Sequence, residues 1–562
     1  MDCGEKRMEK RPLTLVFLFL ACTVILVAAV CTPASADEIG NGTLRVLLRR
    51  LNIDKNISVK TESTYLIRGG NGTEMLLQPG TIIDIELRDS SFIGFLEGAS
   101  LSFGKSLTLL QCSSGGETAG LRLMNSSGIY PGDLALTSES GKIRPVLSVA
   151  MEDYLLGVVP YEMNDSFPPE ALKAQAVCAR TYAARRMNQS RDYDVVDTTN
   201  DQVFKGVSSS NRNAAQAVAD TAGLVITANG KIADGFYSAS NGGQTEIPSN
   251  VWGGRTDADC YEIRDDSWDL ANPDSLTRSA VLMKDGSGLY RWITRLIREA
   301  VFSDKSWISG GYTAMESEFR IDRISRIQLK TPKYPAPSRL YTEMEMTLDV
   351  SGRKVTGGTI GPFISAGTFT ITLNLFPDVL AALGIEISGN GNELVTVTET
   401  DHSFIITACR YGHGVGLSQR GAQWMASEGK KSFEEIISFY FPGSELQKMS
   451  DRQISLPSAP ASLIPSIREP SEETSAVPQA SLMPVTETGL PAGAYIASVE
   501  GIDDGTTLNL RSRPSMASSV VMRLSKHQKL VVLDEYDVPG WARVKTDTVE
   551  GYVMISYLDV PE

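Results

Sequence analysis

Two stretches of the sequence hold side chains whose types and spacing could do chemistry. The first, ACRYGHGVGLSQRGAQWM, sets His413 between Gly412 and Gly414, in a chain that has only three histidines. Glycine permits positive φ and close backbone approach, so a strand, a glycine turn and a helix opening near Ser418 would present the imidazole to a ligand. Backbone N–H groups from Gly416 onward would add an anion or hydroxyl site. A second interpretation stays open, in which the His413 ring only braces the turn.

The second stretch is GVVPYEMNDSFPPEALKAQAVCARTYA, in which Glu162 follows an apolar run and precedes a loop that enters a helix. Apolar neighbours would raise the pKa of this carboxyl and keep it protonated near neutrality, as a general acid requires. The alternative is a solvated glutamate, or an ion-pair partner of Lys173 or Arg180. Cys178 with His413 would make a thiol nucleophile and its base, but its position on a packed apolar helix favours an inert buried thiol.

Helix signals frame the glutamate stretch. Ser166 and the two prolines after it predict a helix start, and Glu170 complements the positive end of that helix. A second helix is predicted over SSNRNAAQAVADTAG, capped by Ser210 or Asn211 and ended by Gly223.

Further signals lead towards the histidine stretch. Asn229-Gly230 predicts a tight hairpin, and SASNGGQTE, which follows a strand, is a polar glycine-rich loop of the kind that often binds ligands. LYRWITRLIREAVF predicts an amphipathic helix, and residues 320–406 predict mostly strands with one short helix near FPDVLAAL. Ser432 and Glu435 form a capping-box pattern for a last helix.

The sequence as a whole predicts an α+β protein of several domains, because 562 residues exceed the usual size of one core. We expect a β-rich N-terminal region over 37–142 and a mixed α/β catalytic core with a groove over 143–446. A Pro/Ser-rich linker over 447–491 and a small C-terminal β-barrel over 492–562 would follow.

Residues 1–36 read as an export signal, with a basic flank, an apolar run from Leu13 to Cys31 and an A-x-A site at Ala34-Ser35-Ala36. The run is long enough to span a membrane, so a membrane anchor and a cleaved signal peptide both remain open. Either way, we expect the body of the protein outside the cytosol, anchored to the membrane or secreted to the cell wall.

Charge and cysteine content restrict the possible partners. The net charge of −14 argues against nucleic acid, whose binding depends on Lys and Arg that neutralise phosphates. His402, His413 and His527 show no metal-ligand spacing. Beyond the export segment four widely spaced cysteines remain, which predict buried apolar side chains or, as the alternative, one disulfide: Cys112, Cys178, Cys260 and Cys409.

EDYLLGVVPYEM, SFPPEALKAQAVCARTYA, FYSASNGGQTE and GHGVGLSQRGAQWMA stand in this order in the sequence. Together they resemble the stage II sporulation protein D family, which includes the amidase enhancers of bacterial cell walls, over residues 43–443. The resemblance implies a lytic transglycosylase that cleaves peptidoglycan glycan strands, with a preference among sporulation members for strands stripped of stem peptides. It implies a role in sporulation or cell-wall turnover.

The resemblance also implies site residues. The family's catalytic acid lies in a V-V-x-x-E-M segment, which corresponds to Glu162 here. The segments that line the groove correspond to residues that we expect to bind substrate: Tyr237, Ser238, Ser240, Gly242, Gly243, Thr245, His413, Ser418 and Gln419. The chain departs from the family at Cys178, where alanine is usual, and at Arg420, where an aromatic residue commonly follows the Ser-Gln pair. Some members bind zinc near the FYSAS loop, but only Cys260 is available there, so we expect no metal and no cofactor.

LNLRSRPS, GWARVKT and GYVMISYL near the C-terminus resemble a bacterial SH3-like domain, which in wall enzymes often binds wall peptide or glycan. Trp541 and Tyr552 would line its ligand groove or, alternatively, pack in its core. The partners implied are peptidoglycan glycan strands, with a wall amidase and other membrane-bound wall-remodelling proteins as further candidates.

A transglycosylase of this family needs only one carboxylate, whereas most glycosidases use two. The 6-hydroxyl of muramic acid replaces water, so Glu162 would donate a proton and then remove one, which leaves a 1,6-anhydro end. His413, Ser240, Ser418 and Gln419 would position the sugar and its N-acetyl group. The rival function is that of a non-enzymatic amidase enhancer whose groove only binds glycan.

Overall fold

The computed structural model of the 562-residue chain describes residues 43–112, 119–123, 126–253, 260–449, 495–500, 507–511, 520–538, 541–546, 549–554 and 557–559. The predicted export segment and the predicted linker beyond Met449 lie outside the described residues. Within the described ranges, no helix is both long enough and apolar enough to cross a membrane. The architecture mixes helices with many strands, in agreement with the predicted α+β class.

Two sheets form the N-terminal part of the chain. Their strands are β1 (Thr43–Leu47), β2 (Asn56–Thr61), β3 (Tyr65–Gly69), β4 (Glu74–Leu77), β5 (Ile82–Arg88), β6 (Ser91–Leu96), β7 (Ala99–Gly104), β8 (Leu107–Gln111), β9 (Leu121–Leu123), β10 (Ile129–Tyr130), β11 (Asp133–Glu139), β12 (Lys142–Ala150) and β13 (Val195–Val196). One sheet has the order β13-β1-β12-β11-β8-β3-β4 and the other β10-β9-β2-β5-β6-β7. Alternate side chains of these strands face the core, as the short apolar runs predicted.

Eleven helices are described: α1 (Met151–Leu156), α2 (Val159–Glu162), α3 (Pro169–Arg186), α4 (Arg212–Asp220), α5 (Pro248–Val251), α6 (Ser267–Ala271), α7 (Arg291–Phe302), α8 (Lys305–Ser309), α9 (Leu380–Ala382), α10 (Gln419–Ser427) and α11 (Phe433–Tyr440), with a 3₁₀ turn at Glu316–Glu318 and a π turn at Leu375–Val379. β12 runs directly into α1, and both belong to one hydrophobic core. The domain boundary that we expected between residues 142 and 143 therefore falls inside strand β12, and the residues on its two sides pack into the same core.

Helix α3 lies at the centre of this core. Its many alanines favour helix and let neighbouring elements approach closely. Arg180 is fully buried in α3 and forms a two-pronged ion pair with Glu152, with nitrogen–oxygen distances of 2.6 and 2.9 Å. The two parallel hydrogen bonds offset the cost of burying the positive charge of Arg180, because a guanidinium and a carboxylate match in shape.

Helix ends differ in part from the sequence prediction. Ser166 does not cap α3, whose N-cap is Pro168, and Asn211 makes no side-chain cap on α4. The Asp165 carboxylate caps α4 instead, accepting from the backbone N–H of Ala214 at 2.7 Å. An acidic side chain from a distant segment can supply a cap that the local sequence pattern does not reveal.

Several local predictions are confirmed. Strands β14 (Leu224–Ala228) and β15 (Lys231–Ile232) pair around Asn229 and Gly230, which have φ of 51° and 71°. Helix α7 buries Ile293, Ile297 and Val301 on one face. Ser432 and Glu435 form the capping box of α11.

Residues 277–409 form a unit with a second hydrophobic core. Its strands are β17 (Thr277–Met283), β18 (Phe319–Pro332), β19 (Tyr341–Gly352), β20 (Val355–Thr356), β21 (Thr359–Ile360), β22 (Ile364–Asn374), β23 (Leu394–Glu399) and β24 (Ser403–Cys409). They form sheets of order β17-β24-β23 and β18-β19-β22, with a β20-β21 hairpin. The sequence predicted the strands and helix of this unit but not that they pack as a separate core. We call it the inserted unit.

The chain then returns to the first core. Strand β25 (Leu417–Ser418) pairs with β16 (Tyr237–Ser238), and β26 (Glu445–Lys448) pairs with β14. The folded region therefore extends past the expected linker start at Gln447.

The C-terminal strands form one sheet of order β29-β28-β32-β31-β30-β27-β33, over a small core of their own. They are β27 (Tyr495–Val499), β28 (Thr507–Arg511), β29 (Val520–Ser525), β30 (Lys529–Val538), β31 (Trp541–Lys545), β32 (Glu550–Met554) and β33 (Leu558–Asp559). Trp541 is buried and Tyr552 half-buried. Trp541 is not among the residues of that small core, so the assignment of Trp541 and Tyr552 to a ligand groove stays a prediction.

We predict that Asp165→Ala lowers the free energy of unfolding by about 1 kcal/mol, because α4 loses its cap. Ser166→Ala is the matched control, since its exposed side chain caps no helix, and it should change stability by no more than about 0.5 kcal/mol. Denaturant unfolding of both variants measures the difference. Equal losses would contradict the assignment of the cap to Asp165.

Candidate functional site

A groove of about 790 Å³ lies between the first core and the inserted unit. Of the residues that the sequence proposed for the site, Glu162, Tyr237, Ser238 and His413 line it. The structure thus brings the two chemically interesting stretches, far apart in sequence, to one concave surface. Grooves of this size with a few convergent polar groups are typical ligand sites.

Glu162 is the last residue of α2 and is half-buried in the groove wall. Burial raises the pKa of its carboxyl. Hydrogen bonds from the Val203 N–H, the Tyr237 hydroxyl and the Gln419 amide oppose this rise, as does the positive charge of Lys205. Burial outweighs them, so the protonated acid persists to higher pH than an exposed glutamate would allow.

The alternative prediction, in which Glu162 forms an ion pair with Lys173 or Arg180, is wrong. Arg180 is bound to Glu152, and the Lys173 ammonium contacts Glu170 at 2.9 Å and Asp220 at 3.3 Å. The carboxyl of Glu162 accepts instead from the neutral backbone N–H of Val203 at 3.3 Å.

A chain of hydrogen bonds fixes the hydroxyl that faces Glu162. The Gln202 amide nitrogen donates to the Tyr237 hydroxyl at 3.0 Å, and the buried Tyr154 hydroxyl donates to the Gln202 amide oxygen at 3.2 Å. The Tyr237 hydroxyl is therefore oriented to donate to the Glu162 carboxyl. The sequence did not single out Gln202 or Tyr154, which stand in unremarkable polar and apolar contexts.

His413 is held by both ring nitrogens. Its Nδ1 accepts from the Val415 N–H at 3.0 Å, and the ring also hydrogen-bonds to the Tyr237 backbone. Burial, followed by the charge of Arg410, lowers the pKa of His413 to about 4. The imidazole is therefore neutral near pH 7 and braces the turn, as the second interpretation of the sequence proposed.

The His413 ring still contributes a wall of the groove. Its centroid lies 4.9 Å from the Trp252 ring, and Trp252 lies 4.5 Å from Phe236. Trp252 and the half-exposed Tyr411 line the same groove. Aromatic faces of this kind offer apolar surface with polar edges, which suits a sugar ring.

Ser240 and Ser418 do not face the groove, contrary to the sequence expectation. Both hydroxyls donate to the buried Asp269 carboxylate, with Ser240 at 2.8 Å. Ser418 also caps α10 by accepting from the Gly421 N–H at 3.1 Å. A buried carboxylate needs such donors, so these serines join the two loops instead of contacting substrate.

Gly242, Gly243 and Thr245 likewise support the loop. The Thr245 hydroxyl donates to the Glu262 carbonyl at 2.7 Å, and Gly243 N–H donates to the Asn241 amide oxygen at 2.9 Å. Gly242 has a φ of +67°, and a Cβ there would lie 2.6 Å from the Arg410 backbone nitrogen. These residues shape the loop that presents Ser238.

Gln419 is buried beside the acid. Its amide nitrogen donates to the Gln175 amide oxygen at 3.3 Å, and its amide also hydrogen-bonds to Glu162. Gln419 therefore contacts the Glu162 carboxyl from the start of α10 and is not one of the residues that line the groove.

Arg410 joins the two glycine-rich loops and was missed in the sequence. Its guanidinium is fully buried and donates to the carbonyls of Asn241 at 2.9 Å and Gln244 at 2.8 Å. A Cβ at Gly414, where φ is +75°, would lie 2.8 Å from the guanidinium carbon. The sequence did contain a signal for this role, because an arginine that stands close to several glycines can be enclosed by the backbone around them.

The inserted unit supplies the opposite wall through Ser388, Asn390 and Asn392. The Lys333 ammonium fixes this loop by donating to the Asn392 amide oxygen at 2.7 Å, and the Glu393 carboxylate accepts from the Ser388 N–H at 2.8 Å. No sequence motif marked these residues, because only the packing of two cores sets them across from Glu162.

A second carboxylate in the groove wall, Asp201, is already engaged. It accepts from the Tyr182 hydroxyl at 3.0 Å and the Val196 N–H at 2.9 Å, and it lies 3.3 Å from the Arg186 guanidinium. The groove wall therefore holds two carboxyl groups, of which Asp201 is already committed to these contacts.

The cysteines serve packing. None of the four described cysteines forms a disulfide with another described residue, and Cys178, Cys260 and Cys409 are buried. Burial raises the pKa of the Cys178 thiol far above its ordinary value, which opposes a thiolate nucleophile.

Part of the segment beside Cys260, where the family resemblance raises a zinc site, lies outside the described residues, at positions 254–259. Within the described ranges, no group of three or more His, Cys, Asp or Glu side chains is arranged to hold a metal ion. Cys260 is enclosed in the hydrophobic core.

Two parts of the chain match known protein families. Residues 139–227 match the family described as stage II sporulation protein, and residues 506–559 match the bacterial SH3 domain. The amidase enhancer of Bacillus subtilis is 29% identical over 300 residues, which is 52% of this chain and 40% of that protein. The stage II sporulation protein D of Bacillus amyloliquefaciens is 28% identical over 54% of this chain and 76% of its own length. An uncharacterized protein of Brachyspira hyodysenteriae is 27% identical over 56% of this chain and 72% of its own.

We predict that His413 stays neutral across the physiological range. In an NMR titration its ring signals should keep their neutral values from pH 8 to pH 5 and change near pH 4. Because the folded state binds this proton less readily than the unfolded state, His413 should reduce stability as the pH falls from about 6.5 towards 4. Protonation of His413 near its ordinary pKa of about 6.5 would contradict a buried ring that makes two hydrogen bonds to the backbone.

Proposed function

The chain belongs to the stage II sporulation protein D and amidase enhancer family, and from that premise we propose that it is a lytic transglycosylase that cleaves peptidoglycan glycan strands. The observation that carries the proposal is the Glu162 carboxyl, whose pKa is raised by burial at the wall of a sugar-sized groove. The preferred substrate would be strands stripped of stem peptides.

Glu162 would act twice. It first donates its proton to the glycosidic oxygen as the bond from that oxygen to C1 of the muramic residue breaks. The 6-hydroxyl of the same residue then bonds to C1, and the Glu162 carboxylate takes the hydroxyl proton. One 1,6-anhydro end and one free hydroxyl end form, no water is consumed, and Glu162 returns to its protonated state.

The surroundings of Glu162 favour this double role. Burial stabilises the acid before the reaction, while the Tyr237 hydroxyl and the Val203 N–H stabilise the carboxylate that forms after donation. Proton transfer of this kind typically supplies about 100- to 10,000-fold of the rate. The rest must come from sugar distortion and from stabilising positive charge on the ring.

Substrate positioning falls to the groove walls. Ser238 lines the groove, and its buried hydroxyl makes no hydrogen bond with any described residue, so a sugar hydroxyl that reached into the wall would complete its bonding. Trp252 and Tyr411 offer ring faces, and Asn390 and Asn392 across the groove offer amides that match an N-acetyl group in hydrogen-bonding capacity.

We further propose that the protein acts at the cell wall, in sporulation or wall turnover, either anchored by its N-terminal segment or secreted. Its partners would be glycan strands and, by analogy with the relative named amidase enhancer, a wall amidase. The SH3 domain would add a second contact with wall peptide or glycan.

The decisive experiment incubates the full-length protein with peptide-free glycan strands and identifies the products by mass spectrometry. We predict 1,6-anhydro-muramic ends from the wild type and at least a 100-fold lower rate from Glu162→Gln, because the amide cannot donate the proton. Asp201→Asn should slow the reaction less, because Asp201 transfers no proton, and its products should keep the anhydro ends.

Other outcomes separate the rival functions. Reducing ends in place of anhydro ends would indicate a hydrolase that uses water. Intact strands, with measurable glycan binding and faster release by an added amidase, would establish the amidase enhancer. Full activity of Glu162→Gln would remove Glu162 from the mechanism.

A pH profile tests the environment of the acid. We predict that kcat/KM falls as the pH rises through the pKa of Glu162, which burial holds above its ordinary value. Tyr237→Phe removes a hydrogen bond that favours the carboxylate, so the descending limb should move to higher pH. A limb that moves to lower pH, or does not move, would contradict the contact between Tyr237 and Glu162.

A further inference from the structure

A second concavity, of about 440 Å³, lies at the C-terminal end of helix α3. Three arginines line it, Arg185, Arg186 and Arg191, together with Asn188. We call it the arginine pocket. The chain as a whole carries a net charge of −14, so a cluster of positively charged side chains is unusual for this protein.

The loop of the arginine pocket is held in place from the N-terminal sheet. The Arg45 guanidinium binds the Asp194 carboxylate at 2.7 Å and also donates to the carbonyls of Asn188, at 2.7 Å, and Arg191. The Asn188 N–H donates to the same Asp194 carboxylate at 2.9 Å. The backbone that carries Arg191 is therefore fixed, while its side chain is exposed.

Two of the three arginines have no charge partner. Arg186 lies 3.3 Å from the Asp201 carboxylate, but the side chains of Arg185 and Arg191 make no hydrogen bond or ion pair with any residue that the structure describes. Asp234 also lines the arginine pocket, and it is engaged in contacts of its own. Positive side chains commonly complement the C-terminal end of a helix, but Arg191 lies beyond the end of α3.

The arginine pocket adjoins the groove. The Arg186 guanidinium stacks 3.2 Å from the centroid of the Tyr182 ring, and Tyr182 lines the groove that holds Glu162. Asp201, the ion-pair partner of Arg186, lines the same groove. A polymer lying along the groove would thus extend past Tyr182 towards the unpaired guanidinium groups.

We propose that the arginine pocket is an anion subsite that binds carboxylates of the glycan strand through Arg185 and Arg191. This inference rests on the proposed function, because it takes the groove's ligand to be a glycan. A muramic residue without its stem peptide carries a free carboxylate on its lactyl ether, and a guanidinium binds a carboxylate in a matched, two-pronged geometry. With the peptide attached, the same carbonyl carbon is part of an uncharged amide.

The arginine pocket would therefore favour stripped strands by charge. It would also offset the repulsion between an acidic protein and an anionic polymer.

The test measures binding of the full-length chain, in its Glu162→Gln form so that strands stay intact, to fluorescent peptide-free glycan. A second glycan sample has its carboxylates converted to methylamides. We expect Arg185→Gln with Arg191→Gln to raise the Kd for free-carboxylate glycan by about tenfold or more. The Kd for the methylamide glycan, which we call capped glycan, should be the same for the parent and for this double variant.

Arg323→Gln with Arg326→Gln is the matched control, because both are exposed residues of β18 outside the groove, and their loss changes the net charge equally. The control should bind both glycans as the parent does. The proposal falls if the pocket variant binds free-carboxylate glycan like the parent, if the control loses as much affinity, or if the pocket variant is weakened equally on capped glycan, which would reflect damage to the fold.

The design separates this inference from the proposed function. Arginine-dependent binding of carboxylates without any cleavage by the wild type would keep the subsite and remove the transglycosylase. Cleavage that depends on Glu162, with binding indifferent to Arg185 and Arg191, would keep the enzyme and remove the subsite.

Discussion

The burial of Arg410 is the constraint on which the groove depends. Its guanidinium lies fully enclosed between two glycine-rich loops and donates to backbone carbonyls from one of them. Burial lowers the pKa of Arg410 to about 10, while the nearby carboxylates Glu246 and Asp269 favour its charged form. A buried charge is costly unless such partners surround it, so the loops, the carboxylates and the glycines beside Arg410 must be kept together.

The same network explains why polar residues of both motifs serve structure rather than substrate. Asp269 binds the hydroxyls of Ser240 and Ser418, and its neighbour Asp266 binds the Asn241 amide and the Tyr440 hydroxyl, each at 2.7 Å. These bonds join a loop, the start of α10 and helix α11. The result is a rigid wall, with His413 locked as a neutral brace and Tyr237 aimed at the acid. A catalytic carboxyl benefits from such fixed surroundings, because the groups that stabilise its charged form need not move during proton transfer.

The groove itself exists because two cores meet. The first core carries Glu162, Tyr237 and the aromatic wall, and the inserted unit adds the asparagine loop across from them. The arginine pocket extends this surface at the end of α3. Under the proposed function, each segment of a long polymer would contact this surface while the chemistry occurs at the Glu162 carboxyl.

The sequence by itself determined the local elements and singled out the candidate acid. The capping box at Ser432, the turn at Asn229-Gly230 and the amphipathic helix α7 are set by neighbours within a few residues, so pattern reasoning found them. The motifs pointed to Glu162, Tyr237, Ser238 and His413, which line one groove. Only the tertiary structure decided that Ser240 and Ser418 face Asp269, that Arg410 joins the loops, and that Asp165 caps a distant helix. These contacts join residues far apart in the chain, and their partners are chosen by burial, which no local spacing encodes.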